Sequence, residues 1–188
     1  MFKIIMKTVG NYRIVHKERL ADWNTCIIAA NHISYFDPPF IGSILPQEIY
    51  YLAKYELFKN PIFGSILRFV NSIPVKRGVF DRKTIDRLKE LLSQNKSILI
   101  FPEGSRKSFT AKPGIGILVH EMKVPILPIH IENSNNIKDC LIRKKRISIY
   151  IGERIEPEKY DDLPAEKKTY RQIADDILKT INRLPYDS

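Results

Sequence analysis

The chain has 188 residues, 44% hydrophobic and 28% charged, which suits one domain of ordinary size with a sizeable core and excludes a disordered chain. Its 31 Lys and Arg against 21 Asp and Glu leave a net charge of +10, which favours an anionic partner without saying which. Cys26 and Cys140 lie too far apart in sequence to suggest a disulfide framework, and no Cys/His spacing is that of a zinc site, so no metal and a reducing compartment are expected. No apolar run reaches the roughly 20 residues of a membrane span, and the first residues lack a secretory signal pattern. A soluble or surface-bound cytoplasmic domain is the expectation that remains.

No repeat, low-complexity tract or Gly/Ser linker divides the chain, so residues 1–188 are read as a single domain. Phe2, Ile5, Met6 and Val9 fall at helical spacing beside Lys3 and Lys7, and Gly10 stops the pattern. Residues 1–10 therefore read either as an amphipathic interfacial anchor or as a short helix lying on its own domain. Strands are predicted at 12–19 and 25–30, the second almost wholly apolar and hence buried on both faces. A turn-rich stretch, 31–39, leads to a short helix near 40–45, and 49–53 is a strand. Residues 55–70 are helical and strongly apolar, interrupted at Asn60-Pro61. They read as core or, alternatively, as a segment that dips into lipid.

A short strand is expected at 72–75. Asp81 is a suitable N-cap for a helix to about Gln94, with Ile85, Leu88, Leu91 and Leu92 on one face. Strands follow at 97–101, 125–132 and 147–151, with a helix at 113–122 between the first two. The C-terminal helix carries Tyr170, Ile173, Ala174, Ile177, Leu178 and Ile181 as one stripe that packs on a sheet. Strands alternating with helices make this an α/β chain: a single-domain sandwich with a largely parallel central sheet flanked by helices. Ligands of such sheets gather beyond the carboxyl ends of the strands. Two polar segments sit at such ends, Asn31-His32 and Pro102-Glu103-Gly104-Ser105-Arg106.

His32 and Asp37 are five residues apart. A turn of that length can fold the carboxylate onto the ring, fixing Nδ1–H so that Nε2 takes a proton. The same spacing also suits a loop hydrogen bond with no catalytic role. Asn31 and Ser34 can cap the turn, and Pro38-Pro39 stiffen it. In the second segment Pro102 and Gly104 force a sharp exit from the strand, Gly104 admits a ligand close to the backbone, and Arg106 offers a planar fork for phosphate. Arg77 can supply a second guanidinium. No Gly-x-Ser-x-Gly elbow accompanies them, so a serine nucleophile is not indicated.

These residues carry a resemblance. Asn31-His32-Ile33-Ser34-Tyr35-Phe36-Asp37 resembles the N-H-x-S-x-x-D block of the glycerolipid acyltransferases, and Phe101-Pro102-Glu103-Gly104-Ser105-Arg106 their F-P-E-G-T-R block. Ile73-Pro74-Val75-Lys76-Arg77 is similar to the short block that ends in Arg, and Val124-Pro125-Ile126-Leu127-Pro128-Ile129 to the V-P-I-x-P-V block. The four occur in order over residues 31–129, most like the 1-acylglycerol-3-phosphate acyltransferases of bacterial phospholipid synthesis. Asn71 stands where the second block usually begins with Gly, and Lys107 where the third usually ends with Ser.

The resemblance implies a glycerol-3-phosphate acyltransferase-like fold and the transfer of an acyl group from a thioester to the sn-2 hydroxyl of 1-acylglycerol-3-phosphate, giving phosphatidic acid. His32 would be the base and Asp37 its orienting partner. Arg77 and Arg106 would bind the acceptor phosphate. Glu103, Gly104 and Ser105 would shape that pocket, Glu103 orienting Arg106 or a substrate hydroxyl. Asn31 and Ser34 would support the first block, and Pro125 would be structural or acyl-lining. No cofactor is implied beyond acyl-CoA or an acyl-acyl carrier protein as co-substrate. Lysophosphatidic acid, an anionic phospholipid surface and an acyl carrier protein are the implied partners, at the cytoplasmic face of a membrane in peripheral or monotopic association.

The run Arg143-Lys144-Lys145-Arg146 is either a solvated face or a contact for headgroups or for an acidic carrier. Three alternatives stand beside this reading: the same chemistry on another lysophospholipid or a lyso-ornithine lipid, a catalytically silent lipid-binding relative, and a nucleic-acid module suggested by charge alone. The last lacks any RNA- or DNA-binding motif and leaves the four ordered blocks unexplained, so no nucleic-acid partner is expected.

Overall fold

Side chains alternate across a strand, and the chain exploits this on its most buried strand. Ile27 and Ala29 face one apolar layer, Ile28 and Ala30 the other, and all four are fully buried. The computed structural model describes residues 11–21, 23–75 and 82–187. Within them the strands are β1 (Tyr12–Val15), β2 (Ile27–Ala30), β3 (Tyr50–Lys54), β4 (Ser72–Val75), β5 (Ile98–Ile100), β6 (Ile126–Glu132) and β7 (Ile147–Ile151). The helices are α1 (Asp37–Ile44), α2 (Pro61–Phe69), α3 (Arg82–Ser93), α4 (Pro113–Met122), α5 (Ile137–Leu141) and α6 (Lys167–Arg183).

The strands form one sheet in the order β1-β7-β6-β2-β5-β3-β4. Strands β2 to β6 run parallel, β7 pairs antiparallel with β6, and β1 follows β7. The expected α/β sandwich with a largely parallel sheet is thus the observed architecture, with the reversed pair at one edge. One face is covered by α1 through Phe40 and Ile41. The other carries α3, α4 and α6, the last through the Ile173, Ala174, Ile177 and Ile181 stripe. At Gly116, α4 meets α6 backbone to backbone: a Cβ there would run into the Tyr170 carbonyl of α6.

Several boundaries move for local reasons. β1 stops at Val15 because His16 adopts φ +59°, and residues 17–20 form a 3-10 turn instead of continuing the strand to 19. α1 begins at Asp37, since Pro38 and Pro39 sit in its first turn, where no backbone N–H is required. The expected helix over 55–70 divides at Asn60 into a 3-10 turn, 55–59, and α2, with the Asn60 side chain accepting from the Ile62 and Phe63 N–H groups.

The core reading of that stretch is wrong for α2. Only Gly64 is buried in it; Ile62, Phe63, Ile66 and Phe69 are exposed and Leu67 is half-buried. Asn71 has φ +57°, which gives a reason for its place where the related block has glycine: Asn is the side chain that most readily takes the left-handed conformation. Cys26 and Cys140 are buried free thiols. No helix among the described residues is long and apolar enough to cross a membrane. The possible anchor at 1–10 and the Asp81 cap lie outside the described residues.

Candidate active site

The site is assembled at the carboxyl ends of β2 and β5, which are hydrogen-bonded neighbours. Asn31 follows β2 and extends its ladder through a side chain: Nδ2 donates to the Ile131 carbonyl at 2.9 Å, and the Ile131 N–H donates to Oδ1 at 2.7 Å. The amide thereby stands in for one residue of parallel pairing and fixes where the chain turns away from the sheet.

His32 is the next residue. Its Nδ1 lies 2.8 Å from Oδ2 of Asp37, a side chain with no exposed surface. A carboxylate only accepts, so the ring nitrogen donates and Nε2 is left as the lone-pair nitrogen. Oδ2 also accepts from the Ile33 and Ser34 N–H groups, each at 2.7 Å, and Oδ1 from the Ser134 hydroxyl. Four donors therefore converge on one buried carboxylate, the compensation such burial demands. Ser34 turns its own hydroxyl to the Phe36 N–H at 3.2 Å, closing the turn that delivers Asp37 to the ring. Phe101, the last residue before the second loop, stacks on the imidazole at 4.0 Å between centroids and 20° between planes. No hydrogen bond to Nε2 occurs among the described residues.

The second loop opens with a tight turn. Pro102 occupies its first corner, the Gly104 N–H donates to the Phe101 carbonyl at 2.9 Å, and Gly104 takes φ +67°. The turn aims Glu103 inward. Its Oε2 accepts from the His32 backbone N–H at 2.8 Å, so the two loops are tied through the residue that carries the imidazole. Burial pushes the Glu103 carboxyl up to about 7; the His32 N–H opposes that rise and the nearby Asp37 charge adds to it.

Ser105 contributes a carbonyl that accepts from the Ser108 N–H at 3.2 Å. Arg106 lies with its guanidinium carbon 3.2 Å from the centroid of the Tyr35 ring, a cation–π contact between the two loops. Glu103 and Arg106 form no ion pair with each other, so Glu103 braces the His32 backbone and Tyr35 holds Arg106.

The expected residues thus separate by place. Asn31, His32, Ser34, Asp37, Glu103, Gly104, Ser105 and Arg106 share one end of the sheet. Pro125 sits before β6 at the opposite end, where its carbonyl accepts from the Ile27 N–H at 3.0 Å and starts the β2–β6 ladder. Arg77 lies outside the described residues. Ser134, Phe101 as a stacking partner and Tyr35 as a rest for Arg106 were not singled out by spacing. Ser134 is 97 residues from Asp37 and gives no local signal. The remaining histidines are occupied elsewhere: His16 meets Glu18, His120 the Leu163 carbonyl and His130 the Ile181 carbonyl. Among the described residues, no group of three His, Cys, Asp or Glu is placed to hold a metal ion.

A histidine oriented by a buried carboxylate can take up a proton at Nε2, and an arginine on the adjoining loop can hold an anion. Residues 11–132 match the Acyltransferase family model, and the chain belongs to that family. It is 30% identical over 169 residues to a 1-acyl-sn-glycerol-3-phosphate acyltransferase of Bacillus subtilis (strain 168), covering 88% of this chain and 84% of the relative. It is 35% identical over 77 residues, 40% of this chain and 29% of the relative, to a lyso-ornithine lipid O-acyltransferase of Pseudomonas aeruginosa. The crystal structure of a 1-acyl-sn-glycerophosphate acyltransferase from Thermotoga maritima superposes with a TM-score of 0.66 at 21% identity, covering 98% of this chain and 78% of that one, a likeness of fold.

Proposed function

We propose that the protein transfers an acyl group from a thioester to the sn-2 hydroxyl of 1-acylglycerol-3-phosphate, yielding phosphatidic acid and a free thiol. The observation that carries this is the His32–Asp37 pair, with Nδ1–H held at 2.8 Å by a carboxylate that three further donors also hold. Nε2 of His32 accepts the proton of the acceptor hydroxyl as its oxygen attacks the thioester carbon. The C–O bond forms, the C–S bond breaks, and the proton passes from His32 to the departing thiolate. Asp37 keeps the tautomer and stabilises the imidazolium between those steps. Arg106 engages the acceptor phosphate, and Arg77, from the block ending in arginine, is its proposed companion.

The thioester is acyl-CoA or an acyl-acyl carrier protein. The exposed run 143–146, which begins at Arg143 with φ +59° and leads into β7 at the site end of the sheet, is the proposed contact for an acidic carrier or for anionic headgroups. Association with the cytoplasmic face of a membrane is peripheral or monotopic. The test is a transfer assay with purified protein, both donors, and a panel containing lysophosphatidate, zwitterionic lysophospholipid and lyso-ornithine lipid. Lysophosphatidate is expected to be the best acceptor, with Arg106→Ala raising its KM more than that of a zwitterionic acceptor. Preference for lyso-ornithine lipid would move the acceptor assignment to that class.

A further inference from the structure

The chain leaves β3 at the carboxyl edge of the sheet, beside β5 and the site, passes through the 3-10 turn 55–59, and returns along α2 to β4. On α2, Ile62, Phe63, Ile66 and Phe69 are between 52% and 74% exposed. Positions 62, 66 and 69 fall on one helical face, with 63 beside them, so the four make a continuous stripe. Water is a poor solvent for side chains of this size, and a stripe of four left in it marks a surface that something covers.

The helix does not depend on that stripe for its own position. Asn60 caps it, Ser65 bonds back to the Pro61 carbonyl at 2.8 Å, and Gly64 lies against the Phe58 carbonyl. Cations flank the segment, Lys59 just before the stripe and Arg68 on the Gly64 side of the helix, away from it. Lys59 stands 6.0 Å over the Tyr55 ring and Arg68 5.9 Å over the Phe58 ring, while Lys54 at the end of β3 pairs with Glu56 at 3.6 Å. An apolar stripe with the exposed Lys59 at its leading end complements an anionic lipid surface. A second copy of the same face would offer that lysine no opposite charge.

We propose that residues 55–69 dock the domain on a bilayer containing anionic lipid, with the α2 stripe at the acyl boundary and Lys59 among the headgroups. The inference rests on the acyl-transfer reading only for lipid as the occupant, and it places the site's edge of the sheet against the bilayer.

Co-sedimentation of the full chain with vesicles tests it, using phosphatidylcholine alone and phosphatidylcholine mixed with phosphatidylglycerol. The wild type is expected to favour the mixed vesicles and to lose that preference as salt rises. In the combined variant Ile62→Ser, Phe63→Ser, Ile66→Ser, Phe69→Ser the affinity should fall at least about tenfold. Its melting temperature, and its transfer rate on a short-chain acceptor dissolved below micelle concentration, should stay at wild-type values. Phe69→Asp alone should show the same direction of loss, which covers failure of the combined variant to fold. Wild-type affinity in both variants overturns the proposal, as does a wild-type dimer that the substitutions break without changing vesicle binding. Vesicle binding that depends on the stripe in a protein with no transfer to any lysolipid would overturn the function and leave the docking face standing.

Discussion

Asp37 and His32 are partners in one hydrogen bond yet carry different burdens. Asp37 holds the backbone of Ile33 and Ser34 and the Ser134 hydroxyl as well as the ring, all inside the protein. Asp37→Ala strands those donors, and a loss of about 3 kcal/mol in denaturant unfolding is expected together with loss of transfer. His32→Ala removes a partly exposed ring and leaves the Asp37 cluster with three donors, so stability should change by less than about 1 kcal/mol while activity falls.

Glu103 gives a pH signature. Its carboxyl titrates at about 7 in the folded protein against 4.5 ordinarily, so the folded state holds the extra proton in that window. Stability contributed by the protonated form is complete below 4.5 and is lost as pH rises through about 7. Glu103→Gln should flatten that part of the profile in thermal unfolding. Tyr35 is expected to act on binding alone: Tyr35→Ala should raise KM for lysophosphatidate about threefold with kcat unchanged, and Tyr35→Phe should keep wild-type values. His32 and Asp37 were legible because a five-residue turn joins them. Ser134 was not, because only the folded β2–β6 pairing brings it to the carboxylate.

At the scale of elements, periodicity located most strands and helices within a few residues, since the β2 and α6 patterns match the layers that bury them. It could not tell whether an apolar stripe is covered. Period 3.6 says which residues share a face, and α2 shows that a shared apolar face need not meet a core. The five-residue α5 lacks enough turns to show a period at all. Packing between helices is equally invisible in one chain: Gly116 looked unremarkable, yet it is where α6 approaches most closely. Gly116→Ala should force α4 and α6 apart and cost about 3 kcal/mol, measurable by denaturant unfolding, with the site residues untouched.

For the whole molecule, strand order makes the site. β2 and β5 are separated in sequence by two strands and three helices, and the parallel sheet sets them side by side so that the His32 and Glu103 loops emerge together. The net charge of +10 then resolves by location: Arg106 over Tyr35 within the site, Lys59 at the start of the α2 stripe, and the 143–146 run at the same end of the sheet. Nothing in composition alone could have distributed it. In the proposed reaction the lone-pair nitrogen of His32 deprotonates the acceptor hydroxyl. Thiol release from an acyl thioester in the presence of lysophosphatidate, compared between wild type and a folded His32→Ala, measures it. A fall of roughly a thousandfold is expected; transfer at the wild-type rate would rule out His32 as the base.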